Sequence, residues 1–250
     1  MLQKRIIPCL QLLDDTLVKT VKFKNPTYIG DPINTVRIFN ELEVDELCFL
    51  DIRATTNNSE PSWDILDQIT NECFMPLSYG GGITNFETAK RLFSMGFEKV
   101  VINTAAHSHS NLINEIATQY GNQAVVGSID IKKNLFGHSK VYINNGKSVI
   151  KLNPKDWALE LVEQGVGELL ITSIDNEGTW KGYDIDLINH ITNSVNVPVI
   201  AHGGASGIDD INNLFNQTKV SAAGIGSMVV YQKKGMGVLV NFPDVSKILR

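Results

Sequence analysis

The sequence predicts a (β/α)8 barrel, the TIM-barrel fold, in which eight parallel strands each lead into a helix. Short β-rich runs alternate with longer helical patterns along the whole chain. The chain has 250 residues, a length typical of one such barrel. Its two halves resemble each other, which a doubly wound open sheet would leave unexplained. We therefore expect residues 1–250 to form one barrel domain built from two similar half-barrels.

The strands are predicted from short runs rich in β-branched and apolar residues, and the helices from longer stretches between them. Strands are expected at residues 5–10, 46–51, 76–79, 99–102, 124–129, 168–172, 198–201 and 221–225. Helices are expected at residues 32–43, 63–71, 86–95, 112–120, 154–164, 185–193 and 209–215. Strands that alternate with helices of this size form βαβ units and a parallel sheet.

The internal repeat marks two pairs of turns that follow strands. Gly80 in the run YGGGI corresponds to Gly203 in HGGA, and Asn103 in VINTA corresponds to Gly226 in GIGSM, both at a separation of 123 positions. Glycine lets backbone N–H groups approach an oxyanion, and the following helix N-terminus adds positive potential. One such turn is weak evidence, since turns use glycine anyway. Two copies at one separation predict an elongated ligand with a phosphate at each end.

Charge and composition argue against several classes of function. The formal net charge is −5 and the pI about 5.5, without a long Lys/Arg run, so we expect no nucleic-acid partner. Residues 1–8 carry no extended apolar region, and no stretch approaches the ~20 apolar residues of a membrane span. We expect a cytoplasmic protein without a membrane partner. Cys9, Cys48 and Cys73 lie far apart in apolar surroundings, which favours core residues over a disulfide framework or a metal site.

Sequence blocks along almost the whole chain are similar to one family. They are IIPCL (6–10), VK (18–19), GDP (30–32), DEL (45–47), FLDI (49–52), GGGI (80–83), INTAA (102–106), TSID (172–175) and GGA (203–205). With these blocks the chain resembles the cyclase subunit, HisF, of imidazole glycerol phosphate synthase. The resemblance implies a barrel without a cofactor that binds a ligand with two phosphates. It also implies a separate, HisH-like glutaminase subunit whose ammonia is used to form an imidazole ring.

The resemblance implies two essential proton-transfer groups, which are aspartates at the ends of the first and fifth strands in the family. By motif these positions are Gln11 and Asp130. A glutamine can hydrogen-bond there but cannot carry a proton at neutral pH, and general acid–base catalysis typically contributes ~10²–10⁴-fold. Neutral drift is the alternative explanation of Gln11, and we discount it because the role lost is chemical. We expect cyclase activity to be weak or absent.

The resemblance also assigns substrate-binding positions, most of them on the repeated turns. They are Lys19 on a mobile first loop, then Gly82, Asn103 and Thr104, and in the second half Glu177, Gly178, Gly204, Gly226 and Ser227. Glu177 replaces a shorter family aspartate, and His202 stands where a small residue is usual. Trp180 and Tyr79 are expected to add bulk near the barrel mouth.

Four charged residues at the beginnings of strands complete the resemblance. Arg5, Glu46, Lys99 and Glu168 alternate in sign around the barrel axis. This face of such barrels usually carries stabilising interactions. In the family, however, the four positions form a gate through which ammonia enters the barrel from the glutaminase, which docks at this N-terminal face.

The resemblance implies two alternative functions, the first being that of a divergent branch of the family. In the first, which Gln11 favours, the barrel channels ammonia for amidation of an acetamido sugar in surface-polysaccharide (O-antigen) biosynthesis, with a third sugar amidotransferase enzyme as a further partner. In the alternative, the chain is the cyclase subunit of imidazole glycerol phosphate synthase in histidine biosynthesis and uses a substitute acid. A phosphosugar isomerase is a poorer third option, since the four-residue gate would have no purpose there.

Overall fold

The computed structural model of the protein describes residues 3–109 and 111–249. Eight parallel strands form a closed barrel, which confirms the predicted (β/α)8 fold. Each strand pairs with its neighbours along the chain, and pairing of the eighth strand with the first closes the sheet. The strands are β1 (Arg5–Leu13), β2 (Leu47–Asp51), β3 (Leu77–Gly80), β4 (Lys99–Ile102), β5 (Val125–Lys133), β6 (Glu168–Ser173), β7 (Val199–His202) and β8 (Ala222–Ile225).

Helices connect the strands around the outside, and all seven predicted helices are present with ends shifted by up to two residues. Asp31, Asn85 and Asn153 each begin a helix, because the side-chain oxygen of each accepts a hydrogen bond from a backbone N–H in the first turn. The helices are Pro32–Glu41, Ala54–Asn57, Trp63–Glu72, Phe86–Met95, Thr104–Ser108, Leu112–Tyr120, Pro154–Gln164, Ile185–Thr192, Ile208–Gln217 and Ser227–Val230, with 3-10 turns at Asn122–Ala124 and Val245–Lys247.

Alternation along the strands divides the apolar side chains between two layers. The larger layer lies between strands and helices and includes Phe39, Leu92 and Trp157. The smaller layer fills the barrel interior with Ile7, Cys9, Cys48, Val101, Val126, Leu170, Ile200 and Ala222. Cys9 and Cys48 lie side by side on β1 and β2 as free thiols. A hydrogen bond with Cys48 and burial raise the pKa of the Cys9 thiol well above its usual value.

β1 and β5 are longer than predicted, because each continues past the barrel into an antiparallel hairpin. The hairpin after β1 comprises Thr16–Val21 and Lys24–Gly30, and the hairpin after β5 comprises Ser139–Ile143 and Ser148–Val149. The first, expected to be a mobile loop, is therefore regular structure. Short helices also follow both β4 and β8. These matched additions bear out the predicted repeat of two half-barrels.

Candidate active site at the barrel mouth

Gln11 and Asp130 lie at the carboxyl ends of β1 and β5, four strands apart in a barrel of eight. Their side chains therefore approach the mouth from opposite sides. Both are buried, with 6% and 9% of their surface exposed. They line one cavity, so the structure brings together the two positions that the sequence predicts for proton transfer.

Asp130 is a carboxyl group that can change its protonation state near neutral pH. Burial raises its pKa from 3.8 to about 7, and the nearby charge of Glu177 adds to this shift. Hydrogen bonds from Asn103 and Thr172 oppose it, the former over 3.1 Å from Asn103 Nδ2 to Asp130 Oδ2. A pKa near the working pH is what general acid–base catalysis needs, and Asp130 combines it with access to the cavity.

Gln11 uses both ends of its amide. Its Oε1 accepts a hydrogen bond from Thr20 N over 2.9 Å and lies 3.1 Å from Thr20 Oγ1, whose single hydroxyl proton is shared between Gln11 and Glu177. Its Nε2 donates to Glu177 Oε1 over 3.4 Å. An aspartate at this position could accept the same bonds from Thr20 but would face Glu177 with a like charge. The amide thus connects the β1 hairpin to the turn after β6 by hydrogen bonds.

Glu177 is the centre of a buried polar cluster in the second half of the mouth. It is 1% exposed and forms an ion pair with Lys19, itself 6% exposed. Thr20 Oγ1 also donates to Glu177 Oε1 over 3.0 Å, and the backbone N–H of Phe23 donates to Glu177 Oε2 over 3.1 Å. Thr20 and Phe23 were not predicted as site residues, because nothing in their local sequence indicates a contact more than 150 positions away.

His202 lies between the two halves of the mouth. It is 6% exposed, and its Nδ1 is 3.2 Å from Thr172 Oγ1. Burial, with a smaller contribution from the charge of Lys19, lowers the pKa of His202 from 6.5 to about 4. The ring is therefore neutral at neutral pH. His202 lines the cavities of both halves.

The two halves of the mouth differ in free space. The first-half cavity has a volume of about 140 Å³, and Gly82, Asn103 and Thr104 line it as predicted. The corresponding second-half cavity has only about 10 Å³ and is lined by the predicted residues Lys19, Glu177, Gly178, Gly204, Gly226 and Ser227, together with Trp180.

Sequence reasoning missed several first-half residues and misplaced one. Asp51, Thr55 and Asn145 also line the cavity of that half. Asp51 ends β2, so its position at a strand end could have indicated it. The expectation that Tyr79 adds bulk near the mouth is wrong. Its ring points outward into the helix layer and packs against Phe97 with ring centroids 5.7 Å apart.

The four predicted gate residues form a closed ring at the opposite end of the barrel. Arg5 pairs with Glu46, with 2.7 Å between Nη1 and Oε2, and with Glu168. Lys99 Nζ lies 3.1 Å from Glu46 Oε1 and 2.9 Å from Glu168 Oε2. Each cation thus contacts both anions, and both glutamate side chains are about 95% buried. We call this set the charged ring.

The part of the chain that the structure describes has neither a metal-ligand cluster nor a membrane-spanning helix. In residues 3–109 and 111–249, no three His, Cys, Asp or Glu side chains lie close enough together to hold a metal ion. Across the same residues, every helix is too short or too polar to cross a lipid bilayer.

Comparison with known proteins identifies the family. The family model described as "Histidine biosynthesis protein" matches residues 5–235. The "Putative imidazole glycerol phosphate synthase subunit hisF2" of Pseudomonas aeruginosa is 51% identical over 248 residues, which cover 99% of each chain. "Imidazole glycerol phosphate synthase subunit HisF" of Leuconostoc mesenteroides is 42% identical over 89% of this chain and 88% of its own, and that of Streptococcus mutans is 36% identical over 100% and 97%. The chain therefore belongs to the HisF family of histidine biosynthesis proteins.

Proposed function

We propose that this protein is the HisF-like synthase subunit of a glutamine amidotransferase, and that it receives ammonia from a HisH-like glutaminase at the charged ring. The observation that carries the proposal is the order of features along the barrel axis. The charged ring is followed by an apolar interior and then by Asp130 at the mouth. The relatives are themselves named as subunits of a synthase, which supports work in a complex.

The interior between ring and mouth suits a small neutral molecule. Its wall contains Ile7, Val101, Val126, Leu170 and Ile200. Ammonium would lose its hydration there without gaining a counter-charge, whereas neutral ammonia loses far less. The charged ring itself balances two positive against two negative groups, so it presents no net charge to hold an ion. Ammonia would thus pass the ring and cross the barrel as the neutral molecule.

At the mouth, the reaction that the relatives favour is formation of imidazole glycerol phosphate. Asp130 would act as the general base that takes a proton when ammonia attacks the substrate, and as the acid that returns one on ring closure. With Gln11 in the opposite position, a single carboxyl group has to perform both steps. Substrate phosphate would lie on the turns that contain Gly82, Asn103 and Thr104, where space is available.

A second candidate function is favoured by the environment of Gln11. Its amide is held by Thr20 and Glu177, so the mouth is stable without a second catalytic carboxylate. In this case the barrel passes ammonia to a third enzyme that amidates an acetamido sugar of surface polysaccharide. The barrel would then be a conduit with little chemistry of its own.

One assay separates the two functions. The purified barrel is given the histidine-pathway substrate and excess ammonium at elevated pH, which removes the need for a glutaminase. Turnover at a rate typical of HisF proteins supports the cyclase. No turnover, together with release of ammonia at the mouth when a glutaminase and glutamine are added, supports the conduit.

The ammonia route is tested with Lys99→Met and, as a matched control, Lys90→Met. Lys90 is an exposed helix residue whose Nζ lies 3.5 Å from Oε2 of neighbouring Glu87. We expect Lys99→Met to lose most glutamine-dependent ammonia delivery while ammonium-dependent behaviour is retained, and Lys90→Met to change neither. Equal ammonia delivery by both variants would show that the charged ring is not part of the ammonia route.

A further inference from the structure

Three polar side chains lie side by side on three neighbouring strands at the mouth. In the strand register Asp130 on β5 pairs with Thr172 on β6, and Thr172 pairs with His202 on β7. Equivalent positions on neighbouring strands point to the same face of a sheet, and all three side chains line the first-half cavity. They are 9%, 2% and 6% exposed, respectively. The three residues therefore form one buried polar row.

The hydroxyl group of Thr172 contacts both of its neighbours in this row. It forms a hydrogen bond with the Asp130 carboxyl group, and its Oγ1 is 3.2 Å from His202 Nδ1. A hydroxyl group can donate one hydrogen bond while it accepts another. Thr172 can therefore connect the two groups in either direction, because its single proton can point to Asp130 or to His202.

The other ring nitrogen of His202 faces the second half of the mouth. Its Nε2 is 3.8 Å from the position that a Cβ atom of Gly226 would take, and Gly226 lines the second-half cavity. His202 lines the same cavity together with Lys19 and Glu177. The ring thus has Nδ1 in the polar row and Nε2 beside the second-half cavity.

The His202 ring is suited to pass a proton on because it is neutral. Burial lowers its pKa to about 4, whereas burial raises the pKa of Asp130 to about 7. A neutral imidazole can give a proton at one nitrogen while it accepts one at the other. Lys19 and Glu177, the other charged groups beside the ring, balance each other as an ion pair. The nearby Cys9 thiol stays protonated, since its pKa is well above its usual value.

We infer that Asp130, Thr172 and His202 form a proton relay across the mouth, and that His202 is a catalytic residue whose Nε2 exchanges a proton with the ligand. In the forward step Asp130 gives its proton to Thr172 Oγ1, the Thr172 hydroxyl proton moves to His202 Nδ1, and Nε2 gives its proton to the ligand. Asp130 is then a carboxylate, and the ring is still neutral with its proton on Nδ1. The reverse step, in which Nε2 takes a proton from the ligand and Asp130 is protonated again, resets the ring.

The relay deepens the proposed cyclase function, on which the catalytic role of His202 rests. Gln11 cannot carry a proton, so that function leaves both proton transfers to Asp130. With the relay, Asp130 can take a proton in the first half of the mouth and deliver it in the second half.

The relay is tested first by the tautomer of His202, which does not depend on turnover. The full chain, which has five histidines, is labelled with nitrogen-15 histidine, and the His202 resonances are assigned with His202→Gln. As Asp130 ionises between about pH 6 and about pH 8, Thr172 turns its proton toward the carboxylate, so the ring proton should move from Nε2 to Nδ1. Thr172→Val and Asp130→Asn should each abolish this change, whereas Thr172→Ser, which keeps the hydroxyl group, should retain it.

Turnover tests the catalytic role of His202. At saturating ammonium, His202→Gln and Thr172→Val should each lower kcat by ~10²-fold with little change in KM, and exposed His138→Gln should change neither. Thr172→Ser should recover most of the kcat that Thr172→Val loses. The double variant His202→Gln/Thr172→Val should be no slower than the slower single variant, because both changes break one relay.

Two results would overturn the inference. One is a His202 tautomer that stays the same while Asp130 titrates. The other is an unchanged kcat in His202→Gln when the unmodified protein turns over the histidine-pathway substrate. Absence of turnover in the unmodified protein would overturn the cyclase function and with it the catalytic role of His202, whereas the tautomer measurement would still decide whether the relay exists. If His202→Gln does not fold, Thr172→Val, which has nearly the same shape as the natural side chain, gives both measurements.

Discussion

The two halves of the barrel mouth are built from equivalent turns, yet the first half encloses about 140 Å³ and the second about 10 Å³. The backbone does not cause this difference, because both halves pair their strands in the same way. Side chains cause it. Lys19, Glu177 and His202 enter the second half, while the first half has no equivalent of the buried ion pair among the residues that line its cavity. A repeated fold thus fixes where a site can form, and a few side chains determine how much free space that site has.

One pair of positions illustrates the point. In the strand register, Gly80 on β3 lies opposite Val101 on β4, and His202 on β7 lies opposite Gly224 on β8. The strand register thus matches Gly80 with His202, one position away from the match of Gly80 with Gly203 in the sequence repeat. This inward position has no side chain on β3, whereas it has an imidazole on β7. This difference of one side chain leaves free space in the first half and fills it in the second.

The largest expected effect concerns the chemistry of the first half of the mouth, called the open half because it has the larger cavity. Asp130→Asn should lower ammonium-dependent turnover by ~10²–10⁴-fold, since an amide cannot transfer a proton. Glu177→Gln lies in the second half, called the closed half because its cavity is small, and should change turnover far less. Steady-state kinetics at saturating ammonium measure both variants. Similar losses in the two variants would mean that the halves do not differ in their chemical roles.

The pH dependence of stability should also separate the halves. The pKa of Asp130 is raised from 3.8 to about 7, so the stability that its protonated form provides is complete below about pH 3.8 and is lost as the pH rises to about 7. Asp130→Asn lacks this loss. Relative to the unmodified protein, its free energy of unfolding should gain ~4 kcal/mol between about pH 4 and about pH 8. Urea unfolding at both pH values is the measurement, and a constant difference would contradict the raised pKa.

His202 should give the opposite pH dependence. Its pKa is lowered from 6.5 to about 4, so the stability that the neutral ring provides is present above about pH 6.5 and is lost as the pH falls to about 4. Between these values the unmodified protein should lose ~3 kcal/mol more than His202→Gln. Urea unfolding at the two pH values tests this. Parallel acid sensitivity of the two proteins would show that the ring is accessible to protons and water.

The smallest expected effect concerns the glycine under the β1 hairpin. Gly178 has φ +73° and close contact with Thr20, whereas Gly96 has φ +110° and no atom within 4 Å of the position that a Cβ atom would take. Each change to alanine should cost ~1–2 kcal/mol from the left-handed backbone alone. Gly178→Ala should cost more than Gly96→Ala and should increase protease cleavage in residues 16–30. Equal costs would mean that the hairpin yields freely, and the closed half would then not be a stable feature.

The sequence alone was enough to predict the barrel, the order of its strands, and the residues at several strand ends. Gln11 and Asp130 at the mouth and the four members of the charged ring were all found in this way. The reason is that parallel strands alternate with helices in a recognisable pattern, and in a parallel barrel all strands begin at one rim and end at the other. A residue's place along a strand then determines which end of the molecule it reaches.

Only the tertiary structure decided which side chains meet within that rim. The contact between Lys19 and Glu177 spans 158 positions and depends on how the β1 hairpin folds back over the turn after β6. Tyr79 was expected to add bulk near the mouth but faces the helix layer, because successive side chains along a strand point to opposite faces of the sheet. The pKa values of Asp130 and His202 depend on burial by neighbours that are remote in sequence. Local pattern fixes position along an element, whereas cavity, charge pairing and protonation depend on distances that exist only after the chain has closed into a barrel.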